Sequence, residues 1–540
     1  MRARGESWRS SPPKQLTATA IAIATGPAPA GPSSRRGESD AAGDRELWQT
    51  PLADARPRPA APLILAFAVG MAALLPLFLF FATERFSPVA RLLAWLGLGG
   101  ALAPTLWLLT RPGARASTVV ATGMWAAVFY HLAVFHEDRL MLRWGEARIS
   151  ESAVDLAMLL AALATPAIYL GWQLAGTLNL GRALPHPRLD VPALPLRLVG
   201  AGIVALSLLT DVLWMRRELT VYQPAVSVIA VLTPSDLGFA MVLLPTLRPQ
   251  GGGRGGRGGR LLFWGLFGAA ALVALMRGVL TPLMKPLLIY ILANLVICRR
   301  ARLWPVVVAL GSVLLLQPVK GEFRARVWDR QSEMTLTARA LLFVDLTVQH
   351  WLGSDISPSV DKEQSVKIAA ARTGAALQLA NAIELTPQAI PFQGGATYRY
   401  LRFALMPRVF YPDKPIAQYA DVWAAVLYGY TTQSGTAHVM VGLSQVAEAY
   451  INFGVIGGLV LLMGLGFLLR GMDEVFAHPQ AGTGALALHL YFAQSVAVTL
   501  EGSLAQYWGG VLQSYLVYGV ALALLGSLAR TRRRRGQPAP

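Results

Sequence analysis

From residue 61 onward the chain returns repeatedly to apolar runs of about twenty residues, beginning with "LILAFAVGMAALLPLFLFFA", 63–82, which holds no charged side chain. A helix that crosses the hydrocarbon core of a bilayer needs about 20 such residues. Within lipid every backbone N–H and C=O must find a partner inside the segment, so runs of this length fold as helices. Composition agrees: 54% of the 540 residues are hydrophobic and only 14% are charged, against about a quarter charged in a soluble domain. The sequence therefore predicts an all-α, polytopic integral membrane protein.

Twelve spans are expected, near 62–82, 89–110, 116–135, 153–176, 195–215, 222–246, 261–277, 279–298, 303–318, 446–469, 483–502 and 510–529. The sixth is interrupted by "TPSD", 233–236, which a membrane helix tolerates when neighbours satisfy the freed carbonyl. With a cytoplasmic N-terminus, the links "RPGAR" (111–115), "GRALPHPRLDVPALPLR" (181–197), "RPQGGGRGGRGGR" (248–260) and "RRAR" (299–302) fall in the cytoplasm. The "RTRRRR" run at 530–535 falls there too, whereas acids offset bases in "HEDRLMLRWGEARISES" on the opposite side. Lys and Arg collect in cytoplasmic loops, so alternation and charge bias agree on an even number of spans.

This bias also accounts for the net charge of +18. A nucleic-acid partner is not expected, although the Gly-Arg link taken alone admits an RNA-binding reading; its composition reads as a flexible cytoplasmic loop. Cys298 is the single cysteine, which excludes an intramolecular disulfide framework and gives no support to a Cys-based metal site. His131 and His136 lie five apart and face different sides of a helix. No P-loop, G-x-S-x-G elbow or zinc spacing occurs, so neither metal nor cofactor is expected.

Five regions follow. Residues 1–60, rich in Ala, Pro, Ser and Gly, read as a disordered cytoplasmic tail. Residues 61–318 hold the first nine spans, 446–530 the last three, and 531–540 a basic cytoplasmic tail. Between them lies a loop at 319–445, placed outside by the topology. Loops this long are usually functional or disordered, and "MTLTARALLFVDLTVQHWL" (334–352) and "SVKIAAARTGAALQLANAIEL" (365–385) carry apolar residues at helical spacing. Such helices either lie on the membrane or build a site at its outer face.

Cations gather at that face. Arg277 ends the seventh span, Lys285 stands just inside the eighth, and Lys320, Arg324 and Arg326 follow the ninth. The loop adds Arg372, Arg399, Arg402, Arg408 and Lys414. A cation inside a bilayer costs about 2.5–3.5 kcal/mol on insertion scales, though Lys285 has a stem long enough to snorkel outward. Guanidinium groups pair bidentately with phosphate oxygens, so the group together suits an anionic, lipid-borne substrate. "SQVAEAYINFG", 444–454, opens the tenth span with Glu448, Tyr450 and Asn452. Glu448 reads either as a general base or as the ion-pair partner of an arginine, and His438 is a second candidate base.

Four segments in this order resemble the Wzy-type O-antigen and exopolysaccharide polymerases, the oligosaccharide repeat unit polymerases. They are "MRG" (276–278), "GEFRARVW" (321–328), "RTGAALQLANAIELTPQAIPFQGGATYRYLRFALMPRVFYPDKP" (372–415) and "EAYINFGVIGG" (448–458). The resemblance spans about residues 260 to 470; beyond them only the hydropathy profile is shared. It implies a metal-independent glycosyltransferase with a GT-C-like fold in the bacterial cytoplasmic (inner) membrane. Donor and acceptor would be undecaprenyl-diphosphate-linked glycans, with membrane lipid around them and a chain-length regulator and a flippase as partners. Under that resemblance Arg277, Arg324 and Arg408 grip diphosphate and glycan, and Glu448 is base or orienting group. Lys285, Arg326, Arg372, Arg399, Lys414, His438, Tyr450 and Asn452 line the substrate.

Three other readings stay open, one of them a structural scaffold in a polysaccharide export complex, which predicts no dependence on individual arginines. An O-antigen ligase shares the architecture and transfers the glycan to a lipid or protein acceptor. A lipid-linked oligosaccharide flippase would carry ionisable groups through the bundle centre, where Asp211, Asp236, His489 and Glu501 stand.

Overall fold

Long apolar stretches fold as helices throughout the computed structural model. It describes residues 60–83, 86–111, 116–135, 149–178, 187, 189–216, 229, 232–247, 255–327, 334–352, 374–403, 406, 411, 415, 419–433, 442–477 and 482–535. No strand occurs among them. Among the described residues nine helices are long and apolar enough to cross a membrane: α1 Ala60–Phe81, α2 Pro88–Thr110, α3 Ser117–Phe135, α4 Glu151–Thr177, α5 Ala193–Met215, α7 Gly255–Arg277, α8 Thr281–Cys298, α14 Gln445–Phe476 and α16 Leu504–Arg535.

The other three expected spans take different forms. Within 222–246 the described helix is the 13-residue α6, Ser235–Leu247. The ninth is α9, Trp304–Leu316, bent by 58° against α10, Lys320–Val327, so the two form one broken span or a re-entrant turn. The eleventh is α15, Gly482–Val498, 17 residues long and buried from Gly482 to Ala497. Protein surrounds α15 on all sides, which explains how it carries His489 and Gln494 through the bundle without meeting lipid. The last helix runs on through Arg535, past the end expected at 530, because nothing in "RTRRRR" breaks a helix.

Outer helices turn large apolar side chains away from the core, as a lipid-facing surface requires: Leu65 and Phe80 on α1 and Ile456 and Val460 on α14 are exposed. Inner contacts use small residues. A side-chain carbon on Gly171 would stand 1.9 Å from the Met463 carbonyl, and one on Gly466 1.8 Å from the Ile168 carbonyl. Only hydrogen fits on either side, so α4 and α14 cross backbone to backbone, the packing that membrane interiors favour in place of a hydrophobic driving force.

The expected loop helices appear as α11, Leu336–Leu352, and α12, Ala375–Leu385, with a further short helix, α13, at Tyr419–Leu427. Phe343 and Leu346 of α11 pack on Phe323 of α10, while Leu341, Val344 and Leu352 stay exposed. The described residues belong to one compact unit, Trp48–Pro540. The N-terminal tail expected at 1–60 lies outside them except for Ala60.

Candidate functional site

Glycine sets the local geometry at the start of α14. Gly454 adopts φ 69°, ψ −164°, which breaks the helical path inside Gln445–Phe476. Left-handed backbone of this kind is open to glycine at no steric cost. The break frees carbonyls one turn earlier, and the loop after α12 uses them. Gln393 donates its N–H to the Ile451 carbonyl at 2.8 Å, and Gly394 donates to the Asn452 carbonyl at 3.1 Å. Gly395 donates to Asn452 Oδ1 at 2.9 Å. Asn452 Nδ2 in turn donates to Thr397 Oγ1 at 2.8 Å and to the Glu448 carbonyl at 2.7 Å.

Aromatic contacts seal the joint. Tyr398 stacks parallel to Phe453, with ring centres 6.1 Å apart, and Phe392 meets Tyr450 edge to face. The Tyr450 hydroxyl donates to the Thr386 carbonyl at 2.9 Å, and Thr386 Oγ1 shares a 2.7 Å hydrogen bond with Tyr428. Burial pushes the Tyr428 hydroxyl up to about 12, so it stays protonated in any physiological medium.

Glu448 stands one turn before this joint and is fully buried. Its Oε2 accepts the backbone N–H of Leu504, the first residue of α16, at 2.8 Å. A helix N-terminus presents unsatisfied N–H groups and positive partial charge, so it stabilises a carboxylate. Glu448 Oε1 has no hydrogen-bond partner among the described residues. Of the two roles expected from sequence, ion pairing with an arginine is not the described arrangement: the partner is a main-chain amide.

The cations sit on other elements. Arg277 pairs closely with Asp211 of α5 and lies over the Trp214 ring at 4.8 Å. Lys285 Nζ reaches Asp236 Oδ2 of α6 at 2.9 Å, so it turns inward to a carboxylate and does not snorkel. Arg324 Nε donates to the Gly278 carbonyl at 3.2 Å, which brings α10 against the turn after α7. Arg326 pairs with Glu322 on its own helix and is exposed. An apolar groove of about 270 Å³ is walled by α7, the start of α8, Leu316 of α9 and one face of α11. Arg399, in the turn Thr397–Phe403 that follows the joint, is exposed. Arg372, Arg408, Lys414 and His438 lie outside the described residues.

Sequence reading missed two carboxylates. Asp421 of α13 is fully buried and accepts the N–H of Leu443 at 2.7 Å, the N–H of Ser503 at 2.9 Å and the Ser503 hydroxyl at 2.6 Å. Burial pushes its carboxyl up to about 6 against the hydrogen bonds that lower it. Asp473, near the far end of α14, is also fully buried and stands 2.9 Å from His489 Nε2. It accepts from Ser117 Oγ (2.9 Å), Thr118 N (3.2 Å), Thr118 Oγ1 (2.7 Å) and Trp172 Nε1 (2.7 Å). Neither stands in an expected span: Asp421 lies in the 319–445 loop and Asp473 four residues past the end of the 446–469 span, so nothing in the apolar pattern marks either one.

Among the described residues no three His, Cys, Asp or Glu side chains gather as a metal site. No protein-family model, no curated protein and no solved structure matches this chain.

Proposed function

We propose that this protein polymerises undecaprenyl-diphosphate-linked oligosaccharide repeat units into O-antigen or exopolysaccharide by metal-independent glycosyl transfer. The observation that carries the reading is the joint at Gly454. Two segments that resemble polymerase motifs, separated by about fifty residues of chain, are bonded to each other at Gln393–Thr397 and Ile451–Asn452. Next to that joint is the buried Glu448 carboxyl, one oxygen of which has no hydrogen-bond partner among the described residues. Glu448 Oε1 would take the proton of the attacking sugar hydroxyl, the role of a general base held within hydrogen-bond reach.

The lipid carrier suits the second group. A diphosphate leaving on a polyprenyl chain needs both cations and an apolar surface; Arg277, Lys285 and Arg324 stand on α7, α8 and α10, and α7, α8 and α11 wall an apolar groove. Cations fixed where charge develops lower the barrier to glycosidic cleavage. Both Arg277 and Lys285 hold aspartates in the described state, so the diphosphate would exchange with Asp211 and Asp236.

A flippase is the second reading, favoured by the ionisable pair Asp473–His489 inside the bundle. Deletion of the gene separates the alternatives. A polymerase deletion leaves surface glycan of single repeats in place of a ladder. Loss of all glycan from the acceptor would mark a ligase, and accumulation of lipid-linked repeats on the cytoplasmic side would mark a flippase; either result overturns the proposal.

A further inference from the structure

A general base works only if its free oxygen is aimed, and Glu448 gets its aim from a helix that another side chain holds in place. Its Oε2 is fixed by the Leu504 N–H. Where Leu504 sits depends on Ser503, whose N–H and hydroxyl both end on Asp421. Asp421 also accepts the N–H of Leu443, next to Ser444, whose side chain caps the helix that carries Glu448. The connections close a ring: α13 to the start of α14, α14 to the start of α16, and α16 back to α13. Gly442 adds an independent constraint. A side-chain carbon there would lie 2.2 Å from the Glu501 carbonyl, so the turn before α14 and the turn before α16 touch through bare backbone.

We infer that Asp421 is a positioning residue for the proposed reaction: it clamps the starts of α14 and α16 together and thereby holds Glu448 Oε1 toward the acceptor hydroxyl. This rests on the reading of Glu448 as the base. Asp421 touches no reacting atom itself. Its effect is geometric, and a displacement of about 1 Å at a reacting group can cost on the order of a hundredfold in rate. An aspartate serves here because three donors converge on it, two from main chain and one from a hydroxyl. Asparagine at 421 has the same shape but only one acceptor oxygen, and it turns a donor toward Ser503.

The test uses the full chain in detergent, with lipid extract from the deletion strain as substrate, and compares Asp421→Asn, Ser503→Ala, Ser503→Thr and Glu448→Gln. Asp421→Asn is expected to elute as folded protein and to lose about ten- to a hundredfold in kcat, with KM held within about twofold. Ser503→Ala should lose less, and Ser503→Thr, which keeps both donors, should restore the wild-type rate. Hydrogen exchange should rise in 442–452 and 500–508 of Asp421→Asn. Wild-type kcat in Asp421→Asn alongside an inactive Glu448→Gln overturns the positioning role and leaves the proposed function standing. Wild-type kcat in Glu448→Gln overturns both. Unchanged exchange in those two segments also overturns the clamp, whatever the activity.

Discussion

Glu448 and Asp473 ride the same helix on either side of the Gly454 break, both fully buried, and they are treated in opposite ways. Asp473 accepts four hydrogen bonds from α3 and α4 and faces His489 of α15. Each carboxylate oxygen is in use. Arg470 extends the arrangement, lying over the Trp172 ring at 4.1 Å and reaching Glu474 Oε1 at 2.6 Å. Glu448 receives one main-chain N–H and stands beside the Thr397 hydroxyl, and its Oε1 has no hydrogen-bond partner among the described residues. A buried charge that is fully bonded holds helices together; one left half-bonded raises the free energy of the fold and persists where a ligand completes it. Asp473 is therefore the knot of the bundle, and Glu448 is the residue on which the proposed reaction would draw.

The largest effect that tests this contrast is a crossover between two variants. Asp473→Ala strands four donors and a histidine, at a cost of about 3–5 kcal/mol for a broken buried pair, and should lose the monodisperse folded fraction in size-exclusion chromatography. Glu448→Gln should keep that fraction, while its turnover falls by about 10²-fold or more, the usual contribution of a general base. A folded Asp473→Ala or an active Glu448→Gln would erase the distinction.

Asp421 gives the next effect. Its folded pKa of about 6 lies above the ordinary carboxylate value, so its contribution to stability is complete below pH ~4 and falls away as pH rises through 6. The swing is on the order of 3 kcal/mol. Unfolding midpoints should therefore drop between pH 4 and 6 in the wild type, and Asp421→Asn should flatten that slope. Gly454→Ala comes third: a side chain at φ 69° costs about 1–2 kcal/mol and lands 3.3 Å from Phe392 Cζ. It should loosen the 392–398 joint, visible as faster hydrogen exchange there, with the Asp473 region unchanged. Smallest is Arg326→Ala, which removes an exposed pair one helical turn apart and should shift stability by less than about 0.5 kcal/mol.

Spans were legible where lipid itself writes the pattern. The twenty-residue apolar runs of α1, α2 and α5 cannot be anything else in a bilayer. Legibility fell where protein replaces lipid as the surroundings. Gly482–Val498 reads as an ordinary span, yet its histidine and glutamine are carried by burial on every side. In the candidate site, Glu448, Tyr450 and Asn452 stood out because polar residues at the mouth of an apolar helix are rare. Their partners did not. Thr397, Leu504 and Ser503 contribute a hydroxyl or a main-chain amide, groups that nearly every segment owns. Asp421 carries no mark in the loop sequence, since the 82 residues that separate it from Ser503 hide the contact. The sequence offers Arg277 and Lys285 as cations for a phosphate, whereas Asp211 and Asp236 hold them, a pairing that only the packing of α5 to α8 decides.

One measurement bears on the central claim most directly: the size distribution of surface glycan in the deletion strain carrying either the wild-type gene or Glu448→Gln at matched protein level. The account predicts a full ladder from the wild type and single repeats from Glu448→Gln. A ladder of wild-type length from Glu448→Gln would contradict it.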